Sequence, residues 1–132
     1  VLLMGGSNDV FYSGSDAAAR GNMGAMIHQL FSVGVLPMVG IPLPADAPHA
    51  PRAWAAAGDF EAAERTMKEY CAWLKRYCTA FGVPYIDFCA DFLSPDGSIR
   101  SELLLDGLHP TPEGRQIMAR RLCAHLKKDN DD

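Results

Sequence analysis

DFEAAERTMKEYCAWLKRYCTAFGVPYIDF, residues 59–88, holds the clearest periodicity in the chain. Phe60, Ala63, Met67, Tyr70, Leu74, Cys78 and Phe81 step by three or four, which puts them on one face of a helix. Asp59 suits the N-cap, because its carboxylate can accept a backbone N–H from the first turn. Gly82 ends the helix and Pro84 prevents its return. Residues 85–88 then read as a short buried strand.

The same alternation recurs on the N-terminal side. Residues 35–41 are an apolar run with Pro37 near its start, consistent with a strand. Before it, Met23, Met26, Ile27, Leu30 and Phe31 follow helical spacing, and Gly34 closes the helix. Gly21 and Gly24 weaken its first turns. Residues 1–4 read as a buried strand ended by Gly5-Gly6, and residues 7–16 as a polar loop. Residues 42–58 contain four prolines and many alanines and read as a long surface loop of the kind that is often functional.

On the C-terminal side, residues 89–105 read mostly as loop, with a turn at Asp96-Gly97. Thr111 caps and Pro112 starts a last helix, with Ile117, Met118, Leu122 and Leu126 on its buried side. Residues 127–132 form a charged tail expected to fray. Strand and helix therefore alternate three times, the pattern of a parallel sheet with helices against it. Residues 1–4 look like a central strand whose other neighbour is missing, because parallel sheets are normally covered and protected at their edges.

Length and composition bound the rest. The chain has 132 residues, 48% apolar and 21% charged, an ordinary balance for one folded domain. Net charge is −4, which gives no general attraction to nucleic acid or to an anionic membrane surface. No apolar run approaches the ~20 residues of a membrane span. Cys71, Cys78, Cys89 and Cys123 form no C-x-x-C pair and read as buried free thiols, which fits a reducing cytoplasm. No His, Cys, Asp and Glu cluster has metal-ligand spacing, and no phosphate-binding loop occurs.

Ligands of open parallel sheets bind beyond the carboxyl ends of the strands. Two segments fall there. In Asp106-Gly107-Leu108-His109-Pro110, the three-residue spacing lets the carboxylate take one imidazole nitrogen and leave the other as a base. The same residues also suit a plain turn with a local cap. In Gly5-Gly6-Ser7-Asn8-Asp9, the Asn8 amide can donate to a developing oxyanion. An ordinary Asn-Asp turn is the alternative. His28 and His125 fall on helices as solvated or packed histidines. His49 and Trp54 lie in the proline-rich loop, where His49 can approach a substrate and Trp54 can wall an acyl pocket or pack beneath the loop. Trp73 and Tyr77 suit docking of the long helix.

Taken together, Gly6-Ser7-Asn8-Asp9 after a buried strand and Asp106 to Pro110 before the last helix resemble the SGNH hydrolase superfamily, the GDSL esterases and lipases. They match its Gly-x-Asn-Asp and Asp-x-x-His-Pro blocks, and the stretch from Thr111 to Gly114 with Ile117, Met118 and Ala119 is similar to its closing helix. The resemblance implies a flavodoxin-like three-layer α/β/α sheet protein, without cofactor or metal, that cleaves small-molecule esters or thioesters. It implies that His109 is general base and then acid, that Asp106 orients it, and that Asn8 supplies an oxyanion donor. Gly6 would let the loop pass close to substrate and Asp9 would hold the loop.

The chain departs from the pattern in two blocks. No Gly-Asp-Ser block occurs, and the family's second block has no counterpart. Ser7 is the best local substitute, but Asp9 replaces the last glycine of a Gly-x-Ser-x-Gly elbow. Ser13 and Ser15 are looser candidates. The expectation is one partial domain over residues 1–132, inactive alone, with N-terminal strands and the nucleophile missing. Its first strand would pair with the missing N-terminal segment or with a swapped protomer. The rival expectation is a non-catalytic α/β module that binds a protein partner through that open edge.

Overall fold

The computed structural model describes residues 1–128. Its regular elements are β1 (Leu2–Leu3), α1 (Ser7–Ser13), α2 (Ala17–Ser32), β2 (Met38–Ile41), α3 (Phe60–Phe81), β3 (Tyr85–Asp87) and α4 (Pro112–Lys128), with short 3-10 turns between them. The strands form a parallel sheet in the order β1-β2-β3, with Leu3 opposite Val39 and Ile41 opposite Asp87. This is the expected three-layer α/β/α arrangement.

The helix ends follow their sequence signals. Asp59 Oδ1 accepts the Ala62 N–H at 2.9 Å. Gly34 and Gly82 close α2 and α3 in left-handed conformation, with the Val35 N–H on Leu30 O and the Val83 N–H on Cys78 O. Thr111 Oγ1 accepts the Gly114 N–H at 3.0 Å and starts α4. Val10 of α1, Met23 and Ile27 of α2, and Met67, Tyr70 and Leu74 of α3 share the main core with Val39 and Ile41. A second, smaller core of Phe92, Leu103 and Leu104 lies under Ile117 and Met118 of α4.

Several expectations are corrected. Residues 7–13 are helical rather than loop. Their polar sequence carries no periodicity, and α1 is held by the burial of Val10 and by contact with α2 and α3. On α2, Met26 and Phe31 are exposed, so the buried face is Ala19, Met23 and Ile27. The 42–58 segment is not wholly on the surface: Pro42, Pro44, Ala45 and Asp46 are buried, and residues 47–49 and 52–56 are 3-10 turns. On α4, Ile117, Met118 and Leu122 are half-buried and Leu126 is exposed. Cys71 and Cys78 are buried thiols, but Cys89 is half-buried and Cys123 exposed. Residues 127 and 128 continue α4, and the remainder of the charged tail lies outside the described residues.

Beyond β1 no further strand pairs among the described residues. Val1, Leu2 and Met4 are exposed there, as are Met26, Val33 and Leu36 beside them. No helix among the described residues is long and apolar enough to cross a membrane.

Candidate active site

Two turns at the carboxyl ends of the strands face one cleft of about 420 Å³. One wall is Gly5, Gly6, Ser7, Asn8 and Asp9, where β1 gives way to α1. The other is Leu108, His109 and Pro110, ahead of α4. Met4, Phe11 and Leu43 supply apolar lining between them.

The second wall is a closed turn. The Leu105 N–H donates to His109 O at 2.8 Å, and Leu104 bridges to Pro110. Gly107 stands at its corner with φ +78°. Inside the turn, Asp106 Oδ1 accepts the Leu108 and His109 backbone N–H groups at 3.0 and 2.8 Å. Its Oδ2 lies 2.8 Å from His109 Nδ1 in hydrogen-bond alignment. Desolvation works to raise the Asp106 pKa, but the hydrogen bonds from the His109 backbone and ring and from Leu108 outweigh it. The carboxyl is therefore held below its ordinary value. An ionised Asp106 directs the Nδ1 proton toward itself and leaves Nε2 as the basic nitrogen. The imidazole is exposed, and Nε2 has no hydrogen-bond partner among the described residues. Trp54 stands edge-on to the ring, 6.4 Å between centroids.

The first wall rests on α3. Tyr70 Oη donates to Gly5 O at 3.1 Å, and burial raises the phenol above its ordinary value, so it stays a protonated donor. Gly6 lies against this ring with φ +104°, and a Cβ there would come within 2.5 Å of Tyr70 Cε1. The close packing turns the chain so that α1 begins at once. Asn8 and Asp9 thus occupy the first turn of a helix, where a carboxylate is favoured by the exposed N–H groups. Asp9 therefore sits in the first turn of a helix and not in a loop.

Among the serines, Ser7 reaches the cleft but makes no hydrogen bond to His109. Ser13 Oγ donates to Asp9 O and Ser15 O, and Ser15 Oγ accepts from Ala17 N–H. His28 pairs with Tyr77 Oη at 2.9 Å and packs on Phe81. Trp73 and Tyr77 lie in a row of rings along α3, with Arg20 over Trp73. His49 does not line the cleft; its Nδ1 lies 2.8 Å from the buried Asp46 carboxylate. Reading the sequence for chemistry passed over Tyr70, whose helical spacing marks it only as core. It also passed over Asp46, although Asp46 and His49 repeat the spacing of Asp106 and His109. A larger hollow of about 790 Å³ lies between β3 and α4, where Asp91 is paired with Arg121. Among the described residues no group of three or more His, Cys, Asp or Glu is placed to hold a metal ion.

Comparison with known proteins gives a consistent picture. The family model of the GDSL-like lipases and acylhydrolases matches residues 1–117. The fold is similar to that of a GDSL-like lipase from Bacteroides thetaiotaomicron, with a TM-score of 0.76 and 20% identity over 98% of this chain and 62% of that one. It is also similar to a lipase/acylhydrolase from Enterococcus faecalis, at TM-score 0.71 and 22% identity over 98% of this chain and 61% of that one. The esterase domain of a zebrafish retrotransposon ORF1 protein matches at TM-score 0.63 and 18% identity, over 84% of this chain and 58% of that one. The chain thus spans about 62% of the length of the first of these structures. No curated protein matches it.

Proposed function

The chain belongs to the GDSL-like lipase/acylhydrolase family, and from that premise we propose that it carries the acid–base and oxyanion groups of a serine hydrolase cleaving carboxylic ester or thioester bonds. The observation that supports this most is the shared cleft. Asn8 and His109 face it together, and the His109 Nδ1 is held from behind by Asp106.

In this reading a serine hydroxyl from polypeptide outside these 132 residues enters the cleft. His109 Nε2 takes its proton as the oxygen attacks the acyl carbonyl. The carbonyl π pair moves onto oxygen, and the Asn8 side-chain amide donates to that oxyanion. Collapse re-forms the carbonyl and expels the alcohol or thiol, which receives the proton from His109. Water then repeats the sequence on the acyl-enzyme, releases the acid and restores the serine. Asp106 stays ionised and stabilises the imidazolium at each stage. Ser7 is not the attacking residue, and the 132 residues alone have no esterase activity. The free thiols favour the cytoplasm as the compartment.

The unpaired edge of β1 favours a second reading, a non-catalytic module that holds a protein partner there. Hydrolysis of p-nitrophenyl esters and acyl thioesters by the polypeptide in its natural length separates the two. The hydrolase reading expects turnover that vanishes in His109→Ala and falls about a hundredfold in Asn8→Ala. Absence of turnover, or turnover unchanged in His109→Ala, overturns it.

A further inference from the structure

The spacing of Asp106 and His109 recurs at Asp46 and His49, and the two turns touch. The Asp46 N–H donates to Gly107 O at 2.8 Å. Gly107 is buried against the same turn, where a Cβ would lie 2.4 Å from Asp46 O and 3.2 Å from Ala50 N. The backbones of the two turns are therefore in direct contact, with no side chain between them.

The second pair is built differently from the first. His49 Nδ1 lies 2.8 Å from Asp46 Oδ2, yet that buried oxygen has no aligned hydrogen-bond donor. His49 does not line the cleft, and its ring is exposed. This turn therefore offers support rather than a second base. What fixes it is α3: Glu64 Oε2 accepts the Ala47 N–H at 3.2 Å, while Glu64 Oε1 faces Lys68 at 3.5 Å. The contact runs from Glu64 through Ala47 and Asp46 to Gly107, and so to the turn that holds His109. The same helix holds the opposite wall through Tyr70 and Gly5.

We propose that Glu64 is a positioning residue for His109, acting through the Asp46–Gly107 contact, so that α3 sets both walls of the cleft. A site whose groups are fixed from one rigid element keeps its geometry better than one carried on independent loops. The inference rests on reading His109 as the base, but its test needs no hydrolysis.

The test is NMR of the 132-residue chain, comparing Glu64→Ala and Glu64→Gln with the unsubstituted protein. Glu64→Ala is expected to speed amide exchange at Ala47, Asp46 and His109 together, by about tenfold, the ratio expected from loss of one hydrogen bond to a charged group. It leaves Leu74 unchanged and moves the His109 ring 15N shifts away from the Nδ1–H tautomer. Glu64→Gln keeps an acceptor oxygen and restores both signals, although it loses the charge facing Lys68. Gly107→Ala, which wedges the two turns apart from the other side, shifts the His109 ring in the same direction. Acceleration confined to Ala47, or a His109 ring unmoved in Glu64→Ala and Gly107→Ala, overturns the proposal.

Discussion

Gly6→Ala is the sharpest single perturbation of the cleft. Gly6 has φ +104° and ψ −17°, a conformation that costs an L residue about 1–3 kcal/mol. The new Cβ would also sit 2.5 Å from Tyr70 Cε1 and 2.6 Å from Cζ and Oη. Tyr70 is fully buried on α3 and packs against Trp73, so its ring has little room to retreat. Overpacking of this kind costs about 1–3 kcal/mol. A backbone shift that relieves one strain partly relieves the other, so we take roughly 3 kcal/mol for the pair. Urea unfolding of the 132-residue chain, followed by tryptophan fluorescence, reads this directly. With a slope of about 2 kcal/mol per molar, the midpoint falls by about 1.5 M. The same shift tilts the start of α1, so the Asn8 side-chain amide resonances move. A midpoint within about 0.3 M of the unsubstituted protein, with Asn8 unmoved, would refute the claim that Gly6 and Tyr70 set this wall.

Other expected outcomes follow the same logic. The Asp106 pKa is held below its ordinary value. Its stabilising contribution is therefore present above the unfolded value of about 3.9 and lost as pH falls through the lower folded value. Asp106→Asn flattens that acid limb in urea midpoints measured from neutral pH downward. Asp59→Ala removes the side-chain cap of α3 and costs about 1 kcal/mol in the same unfolding assay. Leu2→Lys places a charge on the exposed edge of β1. It is expected to lower self-association of the chain, read as mass by light scattering.

The parallel sheet was legible because its helices end on strong local signals. Asp59, Gly34, Gly82, Thr111 and Pro112 each act through backbone groups a few residues away. Residues 7–13 were not legible, since only Val10 is buried and tertiary contact overrides a polar, turn-like composition. Met26 and Phe31 keep a helical apolar period without being buried: Met26 lies beside Leu3 of β1, and Phe31 lies against the exposed His28. For the cleft, Asp106 and His109 are close in sequence and their pairing follows from spacing. The approach of Asn8 to His109 depends on the β1–α1 corner. That corner is set by Gly6 against Tyr70, a contact across 64 positions that no local pattern announces.

The most direct measurement is a crystal structure of the polypeptide in its natural length after reaction with a fluorophosphonate. The account predicts the phosphonyl group bound to a serine within the cleft between the start of α1 and the 106–109 turn. One phosphonyl oxygen would then accept from the Asn8 amide, and the serine oxygen would lie within hydrogen-bond reach of His109 Nε2. A phosphonylated serine in another part of the molecule, with Asn8 and His109 making no contact to it, would contradict the account.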